Sequence, residues 1–281
     1  MRAFLAPGAL AAALLFCGCT LDAPGLAPVP QTFYFPAALA LSAPHGRAPT
    51  FLYVVNSNFD LRYDGATLIE LDAQMLADTV RSPDAITTCG AIPCVPRIPP
   101  GVWVSEVRIG SYVSGIGVGQ GGTRLFTTVR ADDNLTWIDV DPSTGTMSCG
   151  QDEAGVCDQA HRTGTDMTAT LRGETLPADP VRLVMVPLSA YAPDATGDAV
   201  LVAGRNGALG LFFDQRASDG PELVSALSGL PTFVAGLGFD PTSQLAYVTS
   251  SSDPTGAVIN RAISRVGVAY TAADPRRSYL T

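Results

Sequence analysis

Asn56-Ser57-Asn58-Phe59-Asp60, with Asp64 close behind, sets side-chain oxygens at alternating positions of one short polar stretch. Loops of this kind hold Ca2+, a hard cation that takes roughly six to eight oxygen ligands. Asn56, Asn58, Asp60 and Asp64 are therefore the candidate metal ligands, and Ca2+ the one cofactor the residues suggest. The spacing is not that of an EF-hand: counted from Asn56, Leu61 stands where Gly is needed and Thr67 where the closing Glu belongs. The competing reading is a turn in which Asn and Asp bond their own backbone. A second motif, Gly117-x-Gly119-x-x-Gly122, matches the dinucleotide fingerprint, whose chemistry requires a helix next, so that its N-terminus meets pyrophosphate. Arg124-Leu125-Phe126-Thr127-Thr128-Val129 follows instead, a β run, so the glycines read as a turn. Neither Ser114 nor the serines from Ser250 to Ser252 lie in a G-x-S-x-G nucleophile elbow, and Asp132-Asp133-Asn134 reads as a solvated turn rather than an acid/base pair. No catalytic residue is assigned.

Cysteine is the other reactive type. If the N-terminus is processed, Cys89, Cys94, Cys149 and Cys157 remain. An even number in an exported chain argues for disulfides, and sequence closeness suggests Cys89–Cys94 and Cys149–Cys157 among the three connectivities. Neither pair is C-x-x-C, and the two histidines, His45 and His161, give poor zinc-ligand spacing.

The elements that position these residues are short strands. Tyr112–Val118, Arg124–Val129 and Leu135–Val140 are apolar, β-branched and aromatic runs separated by Gly-rich and Asp/Asn turns, the signature of consecutive antiparallel strands. The pattern recurs. Tyr112-Val113-Ser114-Gly115-Ile116-Gly117-Val118 aligns with Phe233-Val234-Ala235-Gly236-Leu237-Gly238-Phe239. Middle strands begin near Phe51, Leu125, Ala199 and Leu245, at intervals of 74, 74 and 46 residues. The last is the length of one four-stranded blade, and the longer two allow for insertions near 82–100 and 142–166, which hold all four cysteines. The first unit takes Phe33–Ser42, Phe51–Val55 and Ala66–Asp72, continues through Met75–Arg81 and resumes at Val102–Ile109. The second closes near Met167–Leu171; the fourth takes Ala257–Ile263 and Arg265–Ala269 after Leu245–Thr249. A four-stranded sheet repeated at this period predicts an all-β fold, a β-propeller of about four readable blades over residues 33–281.

Composition agrees. The chain has 281 residues, 47% hydrophobic and 15% charged, with 28 Gly and 22 Pro, which favours a packed, turn-rich β protein. A net charge of -9 argues against nucleic acid as a partner. At the N-terminus Arg2 precedes an apolar run from Phe4 to Phe16, too short to span a bilayer, which ends Cys17-Gly18-Cys19. Gly18-Cys19 resembles a bacterial lipobox. The resemblance implies a signal peptide over 1–18, lipidation at Cys19, and, from Thr20, an outer-membrane destination; 19–32 then reads as a Pro/Ala-rich tether.

Leu52-Tyr53-Val54-Val55-Asn56, Ala246-Tyr247-Val248-Thr249-Ser250 and Leu135-Thr136-Trp137-Ile138-Asp139 resemble the YVTN-type β-propeller repeat family over about residues 50–270. That resemblance implies a ring of typically seven blades, of which four are readable here; the ring is then unusually small, or further blades lie in the insertions, or the chain is incomplete. The function expected is a membrane-anchored lipoprotein in the bacterial envelope, acting as a non-catalytic scaffold for an envelope protein or small ligand. The alternative is a lactonase-like hydrolase with a metal on the axis, which would place acidic residues on the inner strands.

Overall fold

The computed structural model describes residues 25–42, 50–82, 98–150, 156–164, 176–192, 194–216, 220–251, 262–271 and 273–281. The fold is all-β and propeller-like, with four antiparallel sheets whose strands follow chain order. Blade 1 is β1 (Pro36–Leu41), β2 (Phe51–Asn56), β3 (Ala66–Asp72) and β4 (Trp103–Ile109); blade 2 is β5 (Val113–Val118), β6 (Arg124–Val129), β7 (Asn134–Val140) and β8 (Met147–Ser148), with β9 (Arg162–Gly164) also paired to β7. Blade 3 is β10 (Pro180–Val186), β11 (Asp198–Gly204), β12 (Leu209–Asp214) and β13 (Glu222–Leu227). Blade 4 is β14 (Val234–Asp240), β15 (Leu245–Ser250), β16 (Ile263–Ala269) and β17 (Tyr279–Leu280).

Strand periodicity makes the stack. Every second residue of a strand points to the same face, so a central strand with two apolar faces must be covered on both sides. In β11, Leu201 and Ala203 join a core shared with Val248 and Val266 of blade 4, while Val200 and Val202 join another shared with Phe126 and Trp137 of blade 2. Tyr53, Val55 and Leu68 of blade 1 pack with Leu125 and Ile138 of blade 2. The inner strands β1, β5, β10 and β14 lie side by side in that order. Each is preceded by one residue with positive φ, namely Phe35 (49°), Tyr112 (58°), Asp179 (52°) and Phe233 (58°). Bulky residues are uncommon there, so the same bend at all four blades is a built feature of the repeat.

Two readings of the sequence are corrected. Met75–Arg81 does not extend the blade; it lies in helix α1 (Ala73–Arg81). Asp72 caps that helix by accepting from the Met75 amide at 2.7 Å, and Leu76 packs on the face formed by Val54, Ile69 and Leu71. In blade 4, Ile263–Ala269 is one strand, the third, and Tyr279–Leu280 supplies the fourth. The alternation that buries Val266 and Val268 fixes this register. The expected outer strand at Met167–Leu171 lies outside the described residues, as do residues 257–261 of the strand expected over Ala257–Ile263, and Cys19, Cys89, Cys94 and His45. The stretch read as a tether rests on blade 1 from Gly25 onward: the Asp64 amide donates to the Leu26 carbonyl at 3.0 Å, and the Gln31 amide to Glu106 at 2.9 Å.

Candidate functional site: the pocket between blades 2 and 3

β5 and β10 end side by side, and the chain turns away from both. After β5, Gly119-Gln120-Gly121-Gly122 forms a single 3-10 turn with Gly121 at φ 81°, and strand β6 follows directly. The glycine motif is thus a turn, as the β run after it predicts. After β10, Pro187 leads into a second 3-10 turn, Leu188–Ala190. Between these turns lies a pocket of about 300 Å³ walled by Val118, Met185, Val186 and Leu188, with Gln120, Ser189 and Asp198 as its polar groups. This mixture of apolar walls and a few placed polar atoms is the usual make-up of a small-ligand site.

Asp198 is held tightly. It opens β11 and is 3% exposed. The Gln120 amide donates to its Oδ1, and Arg216 Nε donates to its Oδ2 at 3.1 Å. Arg216 also donates to the Gln120 carbonyl, so one arginine fixes both the carboxylate and the turn facing it. Gly119 is required here: a Cβ would meet Asp198 Oδ2 at 2.6 Å and Cγ at 2.9 Å.

Directly opposite Asp198 on β12 stands Asp214, fully buried. Two carboxylates facing each other across a strand pair repel. The compensation comes from Arg124 of blade 2, whose Nη1 donates to both Asp214 oxygens at 3.0 and 2.8 Å and whose Nε donates to Asp139 at 2.7 Å. Burial works against the Arg124 charge, but the bonds to Asp214 and Asp139 outweigh it and hold its pKa above the ordinary value. His161 completes the cluster: Asp139 lies 3.7 Å from its Nε2 and Asp158 2.7 Å from its Nδ1, and these carboxylates push its pKa up. The cluster joins the two blades that bound the pocket.

The residues singled out in the sequence lie elsewhere, at the far end of blade 1. Asn56 Oδ1 accepts from the Tyr34 amide at 3.1 Å, and its Nδ2 donates to the Thr32 carbonyl and Thr67 Oγ1. Asn58, at φ 51°, accepts from the Tyr63 amide and donates to the Tyr63 carbonyl and Ser111 Oγ. Asp60 accepts from the Arg62 amide at 3.2 Å, and Asp64 pairs with Arg108. Each of the four thus has a structural partner in this geometry. Among the described residues no group of three or more His, Cys, Asp or Glu side chains is arranged to hold a metal ion. Cys149 and Cys157 are bridged, with Cα atoms 5.0 Å apart, and both line the core between blades 1 and 2. Asp198, Asp214, Arg124 and Arg216 were missed because each sits alone at a strand end in the sequence; the available signal was that Asp198 and Asp214 flank one strand pair.

No protein-family model matches this chain, and no curated protein matches it. Among solved structures it is similar to Kuenenia stuttgartiensis hydrazine synthase at 12% identity and TM-score 0.42, covering 78% of this chain and 48% of that one. It is also similar to a luciferin-regenerating enzyme at 14% identity and TM-score 0.44, covering 78% and 58%, and to Sqt1 from Chaetomium thermophilum at 15% and 0.42, covering 76% and 41%. The chain therefore spans about half the length of these structures.

Proposed function

We propose that the protein is a YVTN-type propeller lipoprotein of the bacterial cell envelope, anchored to the membrane through Cys19 and serving as a non-catalytic binding scaffold. The pocket between blades 2 and 3 is its recognition point for a small ligand. The observation that carries this reading is the placement of Asp198: a carboxylate held by Arg216 and the Gln120 amide at the wall of an apolar pocket of about 300 Å³. A group so fixed orients a ligand by accepting one further hydrogen bond while the walls take its apolar body. Acidic residues on the inner strands, which an axial metal hydrolase would use, come down to Asp240 at the end of β14, and that carboxylate caps its own turn by accepting from the Thr242 amide at 2.9 Å.

Two experiments test the reading. Membrane fractionation of the wild-type chain and of Cys19→Ala tests the anchor: the variant is expected in the soluble fraction, and a variant that still sediments with membranes overturns it. A thermal-shift screen of small amines, alcohols and amides, repeated on Met185→Trp, tests the pocket. Stabilising compounds are expected to lose their effect when Trp fills the cavity. Compounds that stabilise both proteins equally place recognition elsewhere, and hydrolysis of a lactone or ester panel assayed alongside refutes the non-catalytic reading.

A further inference from the structure

Successive blades meet by one rule, and the rule is left unfinished at both ends of the arc. The inner strands share a register, each with a shift after its first residue. Aligned on that shift, Leu39 and Leu41 of β1 correspond to Ile116 and Val118 of β5, to Leu183 and Met185 of β10, and to Leu237 and Phe239 of β14. These residues point at the preceding blade. The alternate positions point at the following blade and are small in blades 1, 2 and 4 (Ala38 and Ala40, Gly115 and Gly117, Gly236 and Gly238), whereas blade 3 carries Arg182 and Val184 there.

The contacts show knobs entering holes. Ile116 and Val118 pack with Ala38 and Ala40 against the core of blades 1 and 2. A Cβ on Gly117 would meet Met185 Sδ at 2.7 Å and Leu183 Cδ1 at 2.8 Å, so these glycines exist to admit the knobs of blade 3. Leu237 and Phe239 pack with Val184 in the core of blades 3 and 4.

At the ends the same parts stand unfilled. The knobs of blade 1 are bare, Leu39 at 65% exposure and Leu41 at 50%. Among the described residues the holes of blade 4 are open: a Cβ on Gly238 has nothing within 4 Å, and one on Gly236 meets Thr249 of its own blade. The residues paired with the second hole position are Tyr53, Phe126 and Leu201 in blades 1 to 3, all fully buried; in blade 4 the residue is Tyr247, half-exposed. Beside Leu39 an apolar trough of about 600 Å³ runs between β1 and α1, lined by Phe33, Leu52, Val54, Leu71 and Leu76. Helix α1 covers the outer part of that face and leaves the inner strand uncovered. Charge matches as well. Glu106 lies on the Leu39 face, in the row Leu39–Val54–Ile69–Glu106, and Arg265, exposed, lies on the Gly238 face in the row Gly238–Tyr247–Arg265.

We propose that a second copy of this chain completes the stack: Leu39 and Leu41 of each copy seat on Gly236 and Gly238 of the other, closing two four-bladed arcs into one eight-bladed ring. Each junction continues the packing of knobs on small residues that joins blade 1 to blade 2 and blade 2 to blade 3, and both halves of the complement are carried by the same molecule. A head-to-tail contact closes into a ring when its rotation permits, and eight is within the known range of blades. Among the described residues β14 and β1 do not pack side by side as the other inner strands do.

Three measurements on the full chain decide this. First, sedimentation at micromolar concentration is expected to give twice the 29.1 kDa chain mass; a monomer overturns the proposal. Second, chains carrying Leu39→Cys and chains carrying Gly238→Cys are mixed under oxidising conditions and compared with wild type. A disulfide between the two kinds of chain is expected. Links between Leu39→Cys chains alone refute the head-to-tail geometry, and an intrachain link in the double variant would mean that one chain closes on itself. Third, Gly238→Trp places a side chain where the single copy has open space, so its thermal transition as a monomer is expected to hold while dimer affinity falls about thirtyfold or more. A dimer of unchanged affinity rules out this junction.

Discussion

Raising the pH from 5 to 8 should loosen blade 1 from blade 2, and Glu70 is the reason. Its side chain is fully buried, and neither carboxylate oxygen has a hydrogen-bond partner among the described residues; the hydroxyl of Tyr53, its cross-strand neighbour, is likewise unpartnered. On the other side it faces Ser105 of β4, and the turn after β7 closes over it, so that a Cβ on Gly145 would meet Glu70 Oε1 at 2.7 Å. Burial disfavours the charged form and pushes its pKa from 4.5 up to about 8, against a smaller lowering by Tyr53. The sign follows from proton counting. Between pH 4.5 and 8 the folded chain keeps a proton that the unfolded chain loses, so stability falls as pH rises, by about 1.4 kcal/mol per unit. The cost is on the order of 3 kcal/mol at pH 7 and levels off near pH 8. Glu70→Gln keeps the shape and removes the titration. The difference in urea-unfolding free energy between variant and wild type should therefore grow in the variant's favour by about 3 kcal/mol from pH 5 to pH 7, or about 5 °C in Tm for a chain of this size. His161, whose raised pKa also makes its stabilising charge disappear as pH rises, is common to both proteins and cancels. A difference that stays flat between pH 5 and 8 would show that Glu70 is not buried as a neutral acid.

Other perturbations report on the frame around the pocket. Asp214→Asn leaves the Arg124 guanidinium, 6% exposed as a residue, without its bidentate partner, and should cost about 3–5 kcal/mol by chemical denaturation. Gly207 sits at φ 82° with the Leu230 carbonyl against its Cα, so Gly207→Ala should destabilise blade 3 by roughly 2–3 kcal/mol in thermal unfolding, whereas Gly122→Ala, positive in φ but with open space around it, should cost less. Cys149→Ser opens the bridge to Cys157, which spans a separation of 8 residues, and is expected to lower unfolding free energy by about 2–3 kcal/mol under oxidising conditions and by nothing under full reduction.

The sequence by itself determined the strand repeat. The short, β-branched and apolar runs at Phe51–Asn56, Arg124–Val129 and Asp198–Gly204, punctuated by Gly and Asx turns, are a local property, and they located the middle strands and the four-sheet architecture. Of the paired glycines aligned between Tyr112–Val118 and Phe233–Phe239, Gly115 and Gly117 are inner-strand holes that admit Leu183 and Met185, a role legible because only a missing side chain lets another strand come so close. Local pattern failed where tertiary contact decides. Met75–Arg81 became helix because Asp72 caps it and a blade face receives Leu76, and Tyr279–Leu280 became a strand because Val268 and Ala269 offered an unpaired edge. For Asn56 and Asn58 the sequence showed the residue types, but not that their side-chain amides donate to partners as distant as the Thr32 carbonyl and Ser111 Oγ. The Asp198 pocket could be seen only in three dimensions: its carboxylate, its arginine and its facing turn lie 18 and 78 residues apart, and nothing but the stacking of blade 3 on blade 2 brings them together.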